Sequence, residues 1–358
     1  MRVVVLGATG YIGSRLVPEL LARGHDVVAT GSGRPRRLLY PWSDRVEWRR
    51  VQARSRHDVH AALKGADAAV YLVHGLSGRA FAAADREAAR VVRNVGRELG
   101  LPRLVYLSGL VPDVPEEQLS EHIRSRLEVE EVLAGGPVST LTLRAGIVLG
   151  AGSTSFEILR QVAAVNVVQW LPPSMRSRVQ PISVADAVAE LAGAVEDDGV
   201  TGHLDIGGPD VLTYADLLAT YARVAGLRRV QLPAPPVPNA LVAAVSPLTT
   251  AAPWWTVMSL VQSLTHDMVC DPGRSDPLAP ANPLGVETAI RRALREPYTP
   301  FEGTEVGGDP HVLAPSDPGW ARPSRLERLL PPAAVPAGRL LGGVGHIAEY
   351  RLRGLVGL

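Results

Sequence analysis

Lysine is almost missing from this chain. Of its 37 basic residues only Lys64 is a lysine, so any chemistry that needs an amine has a single candidate. Cysteine is as scarce: Cys270 stands alone, which excludes an internal disulfide and fits a reducing compartment. The formal net charge is only +1, too little for the basic footprint of a nucleic-acid binder. No His/Cys cluster has metal-ligand spacing, and Cys270 has only His266 four residues before it, so no metal site is expected. A Gly-x-Ser-x-Gly elbow is absent, and the run Gly152-Ser153-Thr154-Ser155 is followed by no Walker lysine. Residues 230–265 hold no Asp, Glu, Lys or Arg, yet Pro247 and Pro253 interrupt them, leaving no span of about 20 apolar residues. That segment reads as a buried, pocket-lining cap, with attachment to a membrane surface as the alternative. The first apolar run, residues 3–6, has strand length and leads straight into glycines, so no leader is expected and the location reads as cytoplasmic.

What is present is a core-sized apolar fraction of 46% in 358 residues, arranged as alternating strand and helix patterns. Strands are expected at residues 3–6, 25–30, 46–51, 68–73, 104–108 and 141–148. Helices are expected at residues 11–23, 81–99 and 117–134. Beyond residue 150 the pattern loosens: short strands at 179–184 and 203–206 bracket a helix that starts near Asp186. Thr213 and Asp216 have capping-box spacing at the head of a further helix. The expected organisation is an α/β, doubly wound parallel sheet over residues 1–150. A smaller, mainly helical substrate lobe over 151–296 interleaves with that sheet, and a Pro/Gly-rich tail occupies 297–358, extended or partly disordered over 297–336 and apolar enough to dock over 340–358.

The chemistry begins at Gly7-Ala8-Thr9-Gly10-Tyr11-Ile12-Gly13, directly after a strand and at the head of a helix. Gly7 permits the tight turn, Gly10 the close approach of a pyrophosphate, and Gly13 the packing of helix on strand. The helix N-terminus then offers unpaired N–H groups to phosphate. This is a Rossmann-type dinucleotide site, with Thr9, Tyr11 and Ile12 among its contacts. After the second strand the chain reads Thr30-Gly31-Ser32-Gly33-Arg34-Pro35-Arg36-Arg37, with no carboxylate to hold the ribose hydroxyls of NAD. Ser32 and Arg34 suit a 2′-phosphate instead, so NADP(H) is expected over NAD(H).

These glycines, with Ala69-Val70-Tyr71-Leu72-Val73-His74, Leu104-Val105-Tyr106-Leu107-Ser108-Gly109, Arg144-Ala145-Gly146 and Gln180-Pro181-Ile182-Ser183-Val184-Ala185-Asp186, resemble the atypical and extended short-chain dehydrogenase/reductases. The likeness is greatest to the NmrA-like and YbjT-like NAD(P)H-binding branch, and it runs to about residue 295. The resemblance implies that Val73 and His74 pass beside the cofactor and that Ser108 stands near the nicotinamide. One departure matters. The family's Tyr-x-x-x-Lys dyad, whose lysine lowers the tyrosine pKa, is missing, and at its place stand His122 and Arg126 with the same i, i+4 spacing. Arg126 can hold ribose hydroxyls but cannot titrate. His122 reads either as a substituted acid or as a surface histidine. Two functions remain open at this point. One is an NADPH-dependent reductase of an apolar or aromatic carbonyl, quinone or conjugated alkene, with Ser108, His122 and Arg126 as catalytic residues. The other is an NADP(H)-sensing or scaffolding protein without turnover. Either is expected to work as a monomer or homodimer, with a small apolar or aromatic molecule as the reductase's substrate.

Overall fold

The computed structural model describes residues 1–33, 40–74, 81–236, 249–263, 265–271, 273, 276–295, 309–314 and 317–321. Six strands in sequence build most of the central sheet: β1 (Arg2–Leu6), β2 (Asp26–Gly31), β3 (Glu47–Arg50), β4 (Ala68–Tyr71), β5 (Arg103–Gly109) and β6 (Ser139–Ala145). Four helices connect them: α1 (Gly13–Ala22), α2 (Arg56–Leu63), α3 (Phe81–Leu99) and α4 (Glu121–Ala134). After the short β7 (Val148–Leu149) come α5 (Thr154–Val165), β8 (Val168–Leu171), β9 (Arg178–Val179), β10 (Ile182–Ser183) and α6 (Val184–Glu196). Then β11 (Gly202–Ile206) returns to the sheet, followed by β12 (Leu212–Thr213), α7 (Tyr214–Val224), β13 (Val230–Pro233), α8 (Trp254–Ser263) and α9 (Val286–Ala293).

The sheet has seven strands in the order β3-β2-β1-β4-β5-β6-β11, and every pairing in it is parallel. Alternation along β1 explains its two buried faces. Val3 and Val5 pack toward Leu16 and Leu20 of α1 and Leu191 of α6. Val4 and Leu6 pack toward Val59 of α2, Val92 of α3 and Leu133 of α4. From β1 the chain crosses to β2 on one side while β4 lies on the other. That switch point opens a crevice at the strands' C-terminal ends.

Pro18 sits inside α1 and so offers no N–H to the carbonyl of Ser14 one turn back. The indole N–H of Trp42 donates to that carbonyl instead, at 3.2 Å. The expected capping box is present, with Thr213 and Asp216 bonding reciprocally at the head of α7.

Three expectations change. The strand read at 141–148 breaks at Gly146, where a Cβ would meet the Gln180 carbonyl oxygen at 2.8 Å. Its remainder, β7, pairs with β10 away from the main sheet. The helix read from 117 begins at Glu121, because Ser120 is extended and caps it through the Ile123 N–H; residues 116–118 form a separate single turn. The tail read at 297–358 is not uniformly loose. Residues 309–314 and 317–321 pack into the body, with His311, Asp317 and Trp320 buried. Asp317 there meets Arg15 of α1 at 2.7 Å, both side chains almost without solvent contact.

Candidate active site

The glycine turn is held from both sides. The Ala8 N–H donates to the Thr30 carbonyl at 2.9 Å, while the Thr30 hydroxyl donates to the Val5 carbonyl at 3.0 Å. Gly7 adopts φ +96, a left-handed conformation that favours glycine. At Gly13 a Cβ would stand 2.3 Å from the Gly7 carbonyl oxygen and 2.7 Å from Ala8 Cα, so only glycine lets α1 start this close. The N-terminus of α1 lies behind this turn, where a pyrophosphate would meet backbone N–H groups.

Gly7, Gly10, Tyr11, Ile12 and Gly13 form one end of a cavity of about 1050 Å³. Ser108, at the end of β5, opens onto the same space with His74, His122 and Arg126. The candidate residues read from distant stretches of sequence are thus brought together. Thr9, Ser32 and Val73 are not in that lining. Thr9 instead lies against Gly31, where a Cβ would meet its side chain at 3.1 Å. Arg34 lies outside the described residues. Beside Ser32 is a residue that sequence reading passed over, Arg50 at the end of β3, whose Nε donates to the Ser32 carbonyl at 3.1 Å. Only the parallel pairing of β2 with β3 places it there, so no local signal announced it.

Arg144 and Glu130 fix the orientation of α4. Arg144, opposite Ser108 in the β5–β6 register, grips Glu130 with both Nε (3.0 Å) and Nη2 (2.7 Å). Glu130 is one turn beyond Arg126, so this two-bond fork presents His122 and Arg126 to the cavity. Arg126 Nη1 in turn donates to the Leu107 carbonyl at 3.2 Å, which places its guanidinium beside Ser108.

Ser108 is buried, and its hydroxyl has no partner among the described residues. A buried unpaired hydroxyl is costly, and one that faces a cavity is available to a ligand. Burial, then the Arg126 charge, pulls the pKa of His122 down to about 4. His122, half-buried, lines the cavity, and with this shift its ring is neutral near pH 7. His74 is held well below its ordinary value by the facing Arg126 guanidinium first, then by desolvation and His122. Since His74 keeps solvent access, the Arg126 charge is the better-founded cause. Tyr11 lies beneath Arg15, whose guanidinium is 4.0 Å from the ring centre. Its buried hydroxyl points at Gly150, and burial raises its pKa, so it stays protonated.

With His122 neutral, kcat/KM for the reaction proposed below is expected to show no inflection between about pH 5.5 and 7.5, where an ordinary histidine titrates. A pH–rate profile checks this; an inflection that disappears in His122→Gln would put the proton back on His122.

The remaining walls are mostly apolar, with hydroxyl and amide side chains such as Thr154, Asn166 and Gln169 among them. Ile158, Leu159 and Val162 of α5, Leu217 and Leu218 of α7, and Val257 and Val261 of α8 line the cavity. The charge-free stretch therefore supplies part of the wall, as expected. Among the described residues no helix is long and apolar enough to cross a membrane.

Residues 7–193 match the family model described as NAD(P)H-binding. A Streptomyces 3-diazoavenalumate denitrifying reductase is 31% identical over 283 residues, covering 69% of this chain and 86% of that protein. An uncharacterized chloroplastic protein of Arabidopsis thaliana is 26% identical, covering 57% of this chain and 75% of its own. In fold the chain is similar to a nucleoside-diphosphate-sugar epimerase of Staphylococcus aureus, with TM-score 0.65, 12% identity and coverage of 81% and 100% of the two chains. A Thermus thermophilus UDP-glucose 4-epimerase solved with NAD gives TM-score 0.53 at 20% identity, covering 74% and 99%. The chain belongs to the NAD(P)H-binding family, as an oxidoreductase-type member of the NmrA-like and YbjT-like branch of the atypical short-chain dehydrogenase/reductases.

Proposed function

We propose that the protein is an NADPH-dependent reductase of an apolar or aromatic carbonyl, quinone or conjugated alkene. The observation that carries this reading is the buried, unpartnered Ser108 hydroxyl, which faces an apolar cavity beside the glycine turn. A sensor has no need of such a chamber. The name of the Streptomyces relative, a reductase, supports reduction over other family chemistry.

When bound, the nicotinamide cofactor supplies the hydride. The glycine turn and the N-terminus of α1 hold its pyrophosphate, and Ser32, Arg34 and Arg50 favour the 2′-phosphate of NADP over the bare ribose of NAD. Ser108 Oγ–H donates to the acceptor oxygen as negative charge develops there. His122, neutral, offers a second N–H to the same oxygen, and water delivers the final proton. Arg126 sets the potential beside Ser108 but moves no proton.

Loss of reduced-nicotinamide absorbance across a panel of quinones and enones tests the reading. Turnover is expected with NADPH in preference to NADH, and Ser108→Ala is expected to lower kcat by about 100-fold with NADPH affinity unchanged. The missing dyad favours one rival, a protein that binds NADPH without turning it over. Tight NADPH binding with no oxidation across the whole panel would establish that rival instead.

A further inference from the structure

The cavity lining is electrostatically one-sided. Among the described residues that form it there is no Asp or Glu, and Arg126 is its only arginine or lysine. The two histidines beside it are uncharged near neutral pH, so among the described residues the guanidinium is the one full charge in the lining. Two other arginines of low exposure in this chain are forked onto carboxylates, Arg15 onto Asp317 and Arg144 onto Glu130. Arg126 has one bond, to the Leu107 carbonyl, out of five N–H donors. No carboxylate forks onto it among the described residues, so most of its donors are left for a ligand that enters the cavity.

We propose that Arg126 is an anion subsite for the substrate, and that the physiological substrate is an apolar or aromatic carboxylic acid whose carboxylate pairs with this guanidinium while its body lies against the α5, α7 and α8 walls. Planar, bidentate recognition of a carboxylate is what a guanidinium does best. Position supports it as well: the bond to Leu107 places the charge one residue from Ser108, so an anchored acid presents its reducible group to the Ser108 hydroxyl. The inference rests on the reductase reading and narrows its substrate to an acid. It also gives the absent dyad lysine a replacement with a different task.

The test is a matched pair that differs only in charge, cinnamate and cinnamamide, titrated calorimetrically into the NADP⁺-saturated protein. Cinnamate is expected to bind at least about tenfold more tightly. In Arg126→Gln the ratio is expected to fall to within about twofold of unity while NADP⁺ affinity changes less than about threefold. Arg126→Lys, which keeps the charge but not the fork, is expected to recover part of the preference. Equal binding of the two compounds to the unaltered protein overturns the proposal without any variant, and so does failure of both to bind. A preference that survives Arg126→Gln, or a loss confined to NADP⁺, also overturns it and assigns Arg126 to the ribose. Because binding needs no turnover, a protein that selects cinnamate but oxidises NADPH with no acceptor would overturn the reductase reading and leave the subsite standing.

Discussion

Asp317→Ala is expected to cost about 3–5 kcal/mol of folding stability, the range for removing one partner of a buried ion pair. Arg15 and Asp317 are almost devoid of solvent contact and joined by two bonds, at 3.0 and 2.7 Å. Arg15 also donates to the carbonyls of Pro310, Val312 and Ala151, so it stitches α1, the lobe and the 309–321 segment into one knot. Removing the carboxylate leaves those carbonyl bonds but strands a buried positive charge. Asp317 also accepts from the Ala314 N–H at 2.7 Å, a bond that is lost as well. Urea denaturation measures the loss. Replacing both charges, Arg15→Met with Asp317→Leu, is expected to recover part of it, since no charge is then left uncompensated. A single variant with an unchanged midpoint would show that the segment is not bound as described. Pro318 in the same segment lines the cavity, so substrate affinity is expected to fall along with stability.

That ion pair also shows where sequence reading stops. Its partners are 302 residues apart, and nothing near either residue announces the other. The composition of the tail pointed to loose chain, because Pro and Gly density reports local preference and knows nothing of a buried guanidinium waiting for a carboxylate. The same limit applies to Arg50. Its place beside Ser32 follows from strand pairing, a property of the sheet rather than of any window. Trp42, which supplies the N–H that Pro18 removes from α1, is a third contact that no local pattern specifies.

What was legible was local or periodic. The glycine turn is a short-range motif whose backbone demands are met within seven residues. The strands were visible because fully buried parallel strands are short apolar runs. The gathering of Ser108, His122 and Arg126 was legible through resemblance and spacing, since the i, i+4 relation survives any helix. The protonation state of His122 was not. The imidazole reads the same in sequence whether it is solvated or enclosed, and only the cavity and the neighbouring guanidinium fix its pKa near 4.

Gly13→Ala is expected to abolish tight cofactor binding, lowering NADPH affinity by at least about 100-fold. The new methyl would meet the Gly7 carbonyl oxygen at 2.3 Å and Ala8 Cα at 2.7 Å. Both are backbone atoms, so no rotamer change relieves the contact, and the turn itself must open. Opening moves the Gly7-to-Gly10 cradle and swings the N–H groups at the head of α1 away from the pyrophosphate. Overpacking of this kind also costs about 1–3 kcal/mol of stability, which leaves a folded protein on which binding can be titrated. Gly193→Ala, in α6, is the control: a Cβ there would meet only Leu278 Cδ2, at 3.9 Å, and the residue has no positive φ, so affinity is not expected to change. Gly24→Ala separates the two effects. Its φ of +82 makes a side chain strained in open space, costing about 1–2 kcal/mol, but it lies at the far end of α1 and is expected to leave NADPH binding intact. Fluorescence titration of NADPH on the three variants checks the order. If Gly13→Ala bound as tightly as Gly193→Ala, the glycine turn would not be the phosphate cradle, and the site would have to lie elsewhere along the crevice.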